Sequence, residues 1–352
     1  MNSSKIQLQA SEIEQRPLGW WRQLMYVLAI GFVLYFFSER LFWTVFGADA
    51  TLSEMIITWL AYSAVCYLFL SVCWWFRVSD FASVFLSGAL FGWLLEGGIA
   101  PTLYGTEPSS PFPLSVIWTS VAWHATLSVW LGWNRLGRAL REGRNREVVG
   151  LSLFFGVFWG MWGMFQWQET PPVQTTEDVF LFHAISMTGL FVCALCLANR
   201  LQQRRYFKPA PVGLLIAASG WGVFWLQIAI TIGWMVPVVL GLLLLFVLTP
   251  LWRSRHSRST QLALAAHGLR TPWLSYLLLL IILPAVATVT YVAGVKLGMT
   301  QFPVAYVVLG LSTGIGIVLF SSAYIKVCRS SVTPSGISRS SIASDFRSGS
   351  TS

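Results

Sequence analysis

Residues 273–295 read WLSYLLLLIILPAVATVTYVAGV, a run in which no side chain carries a charge. About 20 apolar residues wound as an α-helix cross the hydrocarbon core of a lipid bilayer. Similar runs recur along the chain, whose 352 residues are 55% hydrophobic and 11% charged, with a mean hydropathy of +0.65. A chain of this composition cannot hide its apolar side chains in one aqueous core. The sequence therefore predicts an all-α polytopic bundle of transmembrane helices.

Short polar stretches divide the apolar runs into about ten spans. We expect these spans near residues 22–44, 54–76, 81–99, 113–133, 148–167, 179–198, 211–230, 235–252, 273–295 and 304–327. The boundary between the seventh and eighth spans is the least distinct, because the apolar run 212–252 continues through it. That run is too long for one helix, and Gly233 with Pro237 supplies the break.

The charges between the spans predict the orientation of the chain, because Lys and Arg near span ends remain on the cytoplasmic side. They cluster in alternate loops, most densely as five Arg within residues 135–146, whereas the other loops hold mainly acidic residues. Arg40 and Lys296 are the exceptions. This pattern predicts a cytoplasmic N-terminal segment at 1–21, a transmembrane domain at 22–327 and a flexible, Ser-rich cytoplasmic tail at 328–352.

Several other classes of protein do not fit the sequence. The net charge of +9 does not indicate a nucleic-acid partner, because the basic residues lie in loops and are not interleaved with aromatic ones on a soluble face. The Cys residues form no disulfide framework, since Cys66 with Cys73 and Cys193 with Cys196 lie inside apolar spans. We expect no cleaved signal peptide, although GADA at 47–50 is a weak mimic of a cleavage site.

Ionisable side chains inside a bilayer are costly, so those within spans are the first candidates for function. In FGWLLEGGIAPTLYG at 91–105, Glu96 lies in the last turn of the third span, and the two glycines after it leave room for a ligand. His124 lies near the middle of the fourth span. A partly desolvated carboxyl group and an imidazole suit general acid–base chemistry, so we expect Glu96 and His124 to be catalytic.

The depths of these two residues argue against a direct contact between them. Counted from the loop that joins their spans, Glu96 and His124 differ in depth by roughly 10 Å. We therefore expect a substrate, a chain of water molecules or a third residue to bridge them. In the structural alternative, His124 only ties helices together through a hydrogen bond to a neighbouring carbonyl or hydroxyl.

Four further residues are candidates for binding. Glu39 lies toward the outer end of the first span, where we expect it to bond a neighbouring helix while Arg40 reaches outward to the headgroups. Tyr104 lies in an outer loop, Trp123 precedes His124, and His183 lies close to the outer end of the sixth span. Two His and one Glu suit zinc, but no metal-binding spacing such as HExxH is present, so no metal is predicted. The sequence assigns no cofactor.

Two patterns concern helix packing. Gly156 and Gly160 in the fifth span have the small-xxx-small spacing that lets two helices approach closely. Pro284 is expected to kink the ninth span.

The block EGGIAPTLYG at 96–105, followed by PFPLS at 111–115 and AWHA at 122–125, resembles a segment of a family of bacterial multi-pass membrane proteins that has no assigned activity. The resemblance covers about 45 residues, implies a bacterial cytoplasmic (inner) membrane, and points to Glu96, Pro101, Tyr104, Trp123 and His124. A looser similarity to membrane-embedded carotenoid hydratases rests on an acidic residue and glycines before a Tyr-containing loop. Too few positions match to carry that activity over.

Three classes of function remain open. The leading one is a membrane-embedded enzyme that acts on a lipid or isoprenoid-like substrate, because the ionisable residues concentrate in the outer half of the spans. In a proton-coupled transporter of a small solute, the same residues would relay protons, and breaks near Pro237 and Pro284 would permit rocking. An assembly or scaffold protein would need no chemistry. The expected partners are the bilayer and a lipid-like small molecule, and the sequence does not fix an oligomeric state.

Overall fold

The computed structural model of the chain describes residues 16–42, 51–106, 110–168, 172, 174–202, 205–258, 272–301 and 304–330. The predicted first twenty-one residues and the predicted tail fall mostly outside these ranges, as does the GADA stretch. Within them the chain is almost entirely helical. Arg16–Pro17 (β1) and Arg205–Tyr206 (β2) form one short parallel pair.

Ten helices match the ten predicted spans, which confirms the predicted fold class. They are α1 Trp20–Ser38, α2 Leu52–Trp75, α3 Phe81–Glu96, α4 Leu114–Glu142, α5 Asn145–Phe165, α6 Glu177–Gln202, α7 Pro211–Ile232, α8 Met235–Arg253, α9 Trp273–Lys296 and α10 Val304–Ser330. A 3₁₀ turn, Arg40–Phe42, follows α1, and further 3₁₀ turns lie at Thr102–Tyr104 and Gln166–Gln168. Gly233, with a φ of 93°, separates α7 from α8, as the sequence predicts.

Nine of the helices in the described ranges are long and apolar enough to cross a membrane, so the chain is a polytopic membrane-type bundle. The exception is α3, which has 16 residues and is therefore about 24 Å long. It ends at Glu96, earlier than predicted, because Gly97 caps it and the chain turns there. The helix α4 continues beyond the predicted end of its span, since GRALRE at 137–142 remains helical.

Contacts between helix ends agree with the predicted alternation of the spans. On the side predicted to be cytoplasmic, Arg258 donates a hydrogen bond to Phe76 O at 3.0 Å and Ser275 donates to Asn145 at 2.6 Å. On the opposite side, Gln166 donates to Phe42 O at 3.0 Å. In each of these pairs, the ten-span prediction places both residues on the same side of the membrane. The predicted outer side is called the outer side below.

Glycines allow close packing at two helix pairs that shape the bundle. A Cβ atom on Gly160 would lie 2.5 Å from the carbonyl oxygen of Ala287, so α5 and α9 approach closely, as the small-xxx-small spacing predicts. A Cβ atom on Gly92 would lie 2.7 Å from Cα of Ser120, so α3 lies directly against α4. Bulkier residues at these positions would push the helices apart.

The helix α4 is wound unusually along most of its length. Between Trp118 and Leu136 it is a π-helix, in which each N–H bonds to the carbonyl five residues earlier. The side chain of Thr126 follows the same spacing, because its hydroxyl donates to Val121 O at 3.0 Å. His124 lies within this segment, and π-helical turns occur frequently at functional sites.

Candidate functional site

Helices α1, α3, α4 and α5 surround a cavity of about 240 Å³ at the outer side of the bundle. We call it the outer cavity. Four of the six residues singled out from the sequence line it. The lining residues are Ser38, Glu39, Phe42, Glu96, Trp118, Thr119, Trp123, His124, Trp162 and Gln166.

Glu96 and His124 are in direct contact on the wall of this cavity. The Nε2 atom of His124 lies 2.6 Å from Oε1 of Glu96. The His124 side chain is 2% exposed and that of Glu96 14%, so the imidazole is buried and the carboxyl group reaches the cavity. The prediction that a bridging group must separate the two residues is wrong.

The direction of the side chains explains why the depth estimate fails. Cα–Cβ bonds in a helix tilt toward its N-terminus. The N-terminus of α3 is on the inner side and that of α4 is on the outer side, so Glu96 leans inward and His124 leans outward. The rise per residue is about 2.0 Å in a 3₁₀-helix and 1.5 Å in an α-helix, and it is smaller still in a π-helix. His124 therefore lies less deep in the π-helical α4 than the α-helical rise predicts. Both effects shorten the gap of roughly 10 Å.

Hydroxyl groups hold both ends of the pair. Thr102 donates a hydrogen bond to Oε2 of Glu96, from the loop that follows α3. On the other side of the imidazole, Nδ1 of His124 lies 3.0 Å from the hydroxyl oxygen of Ser38, the last residue of α1. Ser38 in turn donates to Ser128 Oγ at 2.9 Å. Glu96, His124, Ser38 and Ser128 therefore form one continuous chain of hydrogen bonds, which we call the relay.

The relay can hold a proton in two arrangements. A carboxylate only accepts hydrogen bonds, so an ionised Glu96 faces Nε2–H of His124. If the imidazole is neutral, its Nδ1 accepts the single hydroxyl proton of Ser38, which then no longer donates to Ser128, and His124 is a base. If the imidazole carries a second proton, Nδ1 donates to Ser38, and His124 is an acid. One proton therefore converts the site between its basic and acidic forms.

Glu39 brings a second carboxyl group to the outer cavity. Tyr62 of α2 donates a hydrogen bond to Oε1 of Glu39 at 2.7 Å, so Glu39 bonds a neighbouring helix as expected. Arg40 does not reach outward to the headgroups. It is 4% exposed, and its guanidinium carbon lies 6.0 Å from the ring centroid of Tyr35. The 3₁₀ turn after α1 points Arg40 back into the bundle, which corrects that prediction.

Aromatic rings form a second part of the lining of the outer cavity, which we call the aromatic wall. The ring of Trp123 lies 3.9 Å from that of Phe42 and 5.0 Å from that of Trp162, measured between centroids. Trp118 stands edge-on to Trp123 at 5.3 Å. Trp118 and Trp162 are partly exposed at the surface of the bundle. The lining of the cavity is thus amphipathic, because it combines ionisable groups with apolar rings.

Tyr104 and His183 do not line the outer cavity. The hydroxyl of Tyr104 donates to Gly97 O at 2.8 Å and fixes the loop after α3. Burial raises the pKa of this hydroxyl, so it stays protonated and remains a donor. The buried ring of His183 stands edge-on to that of Trp159 at 5.8 Å. Among the described residues, no group of three or more His, Cys, Asp or Glu is arranged to hold a metal ion.

Sequence reasoning missed Ser38, Thr102 and the aromatic partners of Trp123. Ser38 is the residue before Glu39, and it is a polar side chain at the end of an apolar run, so that signal was present. Nothing in the sequence distinguishes Trp118 and Trp162 from the other Trp of the chain, which has 19. Their convergence depends on how α4 and α5 pack, which hydropathy does not report.

Comparison with protein-family models, with curated proteins and with solved structures finds no match. The functional interpretation therefore rests on the geometry of the outer cavity.

Proposed function

We propose that the chain is a membrane-embedded enzyme that performs acid–base chemistry on a lipid or isoprenoid-like substrate in the outer half of the bilayer. The observation that carries this proposal is the 2.6 Å contact between Glu96 and His124 on the wall of a cavity. Ionisable groups within a membrane-spanning bundle are costly and mark functional sites by default. A pair that meets a cavity can exchange a proton with a bound molecule, which a pair sealed between helices cannot do.

The size and walls of the outer cavity support a long, amphipathic substrate. Pockets that enclose a drug-sized ligand usually measure about 300–1,000 Å³. The outer cavity, at about 240 Å³, is smaller, so it takes the reacting end of a molecule and leaves the remainder outside. The indole rings of Trp118 and Trp162 at the bundle surface suit an apolar chain that arrives from the lipid.

The roles of the residues follow from their contacts. His124 donates or accepts the proton at the reacting atom. Glu96 orients the imidazole and stabilises its charged form, and Thr102 holds the carboxyl group in place. Glu39 supplies a second acidic group to the same cavity. The aromatic wall keeps bulk water away from the apolar part of the substrate.

Proton-coupled transport of a small solute is the second candidate, and the relay favours it. The relay extends from Glu96 at the cavity to Ser128, which is fully buried in α4. A chain of hydrogen bonds that leads into the bundle is what proton transfer through a membrane protein requires. Transport would produce proton flux into sealed liposomes, whereas the enzyme would not.

The test of the proposed function is Glu96→Gln, with Glu177→Gln as the matched control. Glutamine keeps the size of Glu96 and its ability to accept from Thr102 but removes proton exchange. We expect loss of function by about 10²-fold or more in cells that lack the wild-type protein, with the thermal midpoint retained. Glu177 forms an exposed ion pair with Lys296 at 3.0 Å, so its substitution leaves function intact. If the Glu96→Gln variant is fully functional, the protein is better described as a non-catalytic scaffold.

We also propose, from the basic loops and from the resemblance of the Glu96 segment, that the chain lies in a bacterial cytoplasmic membrane with both termini in the cytoplasm.

A further inference from the structure

Ser38 differs in its hydrogen bonds from several buried serines of the spans. Ser63, Ser71 and Ser87 each donate to a carbonyl of their own helix, at 2.8, 2.8 and 2.9 Å. Such bonds satisfy a hydroxyl locally and leave it inert. Ser38 instead contacts two side chains of α4, Nδ1 of His124 and Oγ of Ser128, and it lines the outer cavity.

The order of groups around His124 is hydroxyl, imidazole, carboxyl. Ser38 Oγ lies 3.0 Å from Nδ1, and Glu96 Oε1 lies 2.6 Å from Nε2, so the two partners bind opposite nitrogens of one ring. These are the groups with which an imidazole removes the proton of a serine while a carboxylate holds the imidazole in the required tautomer, although the serine here is on Nδ1 and the carboxylate on Nε2, the reverse of the usual triad. It is recognised by geometry and roles, and it occurs on unrelated folds.

We propose, resting on the acid–base function above, that Ser38 is a nucleophile of the outer cavity that accepts the acyl group of a lipid ester. His124 is its base, and Glu96 orients His124. The aromatic wall receives the acyl chain next to the carbonyl group. The proposal narrows the substrate class from lipid or isoprenoid-like molecules to acyl esters.

The chemical step is balanced with water as the second reactant. The Ser38 hydroxyl first turns its proton from Ser128 to His124 Nδ1. Ser38 Oγ then attacks the carbonyl carbon while this proton passes to Nδ1. The bond from that carbon to the alcohol oxygen breaks, and His124 returns the proton to the departing alcohol. Water, deprotonated by His124 in the same way, then cleaves the Ser38 ester, which releases the fatty acid and restores the hydroxyl.

A long-chain alkyl fluorophosphonate with an alkyne handle tests the proposal without knowledge of the substrate. With this probe, a Ser38 Oγ–P bond forms, the P–F bond breaks, fluoride leaves, and the serine proton passes to His124. The full-length protein in lipid nanodiscs is treated with the probe, and the modified residue is identified by peptide mass spectrometry. We expect an adduct on Ser38, lost in Ser38→Ala and slowed by about 10²-fold or more in His124→Gln.

Ser71→Ala is the matched control, because Ser71 is also buried but bonds its own helix and does not line the outer cavity. It should be labelled at Ser38 at the wild-type rate. Folded wild-type protein that carries no adduct on Ser38 would overturn the proposal, and this outcome does not depend on any variant folding. If Ser38→Ala is fully functional in cells while Glu96→Gln is not, Ser38 is not a nucleophile, and the proposed acid–base function stands. If both variants are fully functional, both proposals fail.

Discussion

Helices α1 and α7 have nearly the same mean hydropathy, 1.6 and 1.7 in their most apolar windows, but 72% of that window is buried in α1 and only 11% in α7. The helix α1 packs in the centre of the bundle and carries Ser38 and Glu39 to the outer cavity. Helices α7 and α10 both lie at the periphery of the bundle. The most apolar window of α10 is also 11% buried. Hydropathy therefore identifies a span but does not distinguish a helix that faces protein from one that faces lipid.

The two regions also differ in what their polar side chains bond. On the exposed faces of α7 and α8, the hydroxyls of Thr231 and Thr249 donate to a carbonyl four residues earlier, which satisfies them in lipid without a partner helix. Around the outer cavity, polar side chains bond across helices, as Tyr62 bonds Glu39 and His124 bonds Glu96. A catalytic site depends on bonds between helices, because these bonds hold groups from different helices around one cavity.

The largest effect is expected from labelling that tests which side the cavity faces. A reporter fused after Arg146 follows five Arg and should be cytoplasmic, whereas one inserted between Pro171 and Gln174, in a loop without Lys or Arg, should be outside. The result at each site is all-or-none. An accessible tag beyond Val327 on the cytoplasmic side is the control for an even number of spans. The opposite labelling at either site would overturn the ten-span model, and the opposite labelling at both sites would place the cavity in the inner half of the bilayer.

A smaller effect separates central from peripheral glycines. A Cβ atom on Gly160 would lie 2.6 Å from Cβ of Thr290, whereas one on Gly222 in α7 would meet nothing within 4 Å. Gly160→Ala should lower the free energy of unfolding by about 1–3 kcal/mol, because α5 and α9 must move apart. Gly222→Ala should be neutral or slightly stabilising. Thermal midpoints in one detergent compare the two variants, and equal midpoints would contradict the described packing of α5 on α9.

The smallest effect concerns one hydrogen bond in each region. Tyr62→Phe removes the bond to Glu39 and should cost about 1 kcal/mol, because the carboxyl group loses a partner inside the bundle. Thr249→Val removes a bond within α8 at an exposed position and should change stability by less than about 0.5 kcal/mol. The thermal midpoint measures both changes. A larger loss for Thr249→Val would mean that α8 packs against something beyond the described residues.

Much of the fold follows from the sequence, because the length of an apolar run and the charges at its ends respond to the bilayer itself. The break at Gly233 and the glycine contact of α5 with α9 follow from residue type in the same way. The shortness of α3 and the extension of α4 to Glu142 do not, since both depend on local caps and turns at the membrane surface.

Only part of the candidate site can be predicted from the sequence. The cost of burying charge singles out Glu39, Glu96 and His124, and the structure brings all three to one cavity. The direct contact between Glu96 and His124 could not be predicted from the sequence. It depends on the opposite tilt of side chains on antiparallel helices and on the winding of α4. His183 meets the same criterion of buried charge but packs beside Trp159, outside the cavity.

The most direct test of the central claim is a cryo-electron microscopy structure of the wild-type protein in nanodiscs made with lipids of its host membrane. The account predicts an elongated density whose polar end lies in the outer cavity, in contact with Glu96 and His124, and whose apolar end passes Trp162 toward the lipid. Lipid density should also line α7 and α10, but only along their surfaces. A cavity closed by side chains, with lipid confined to the periphery of the bundle, would contradict the claim that this cavity receives a lipid-like substrate.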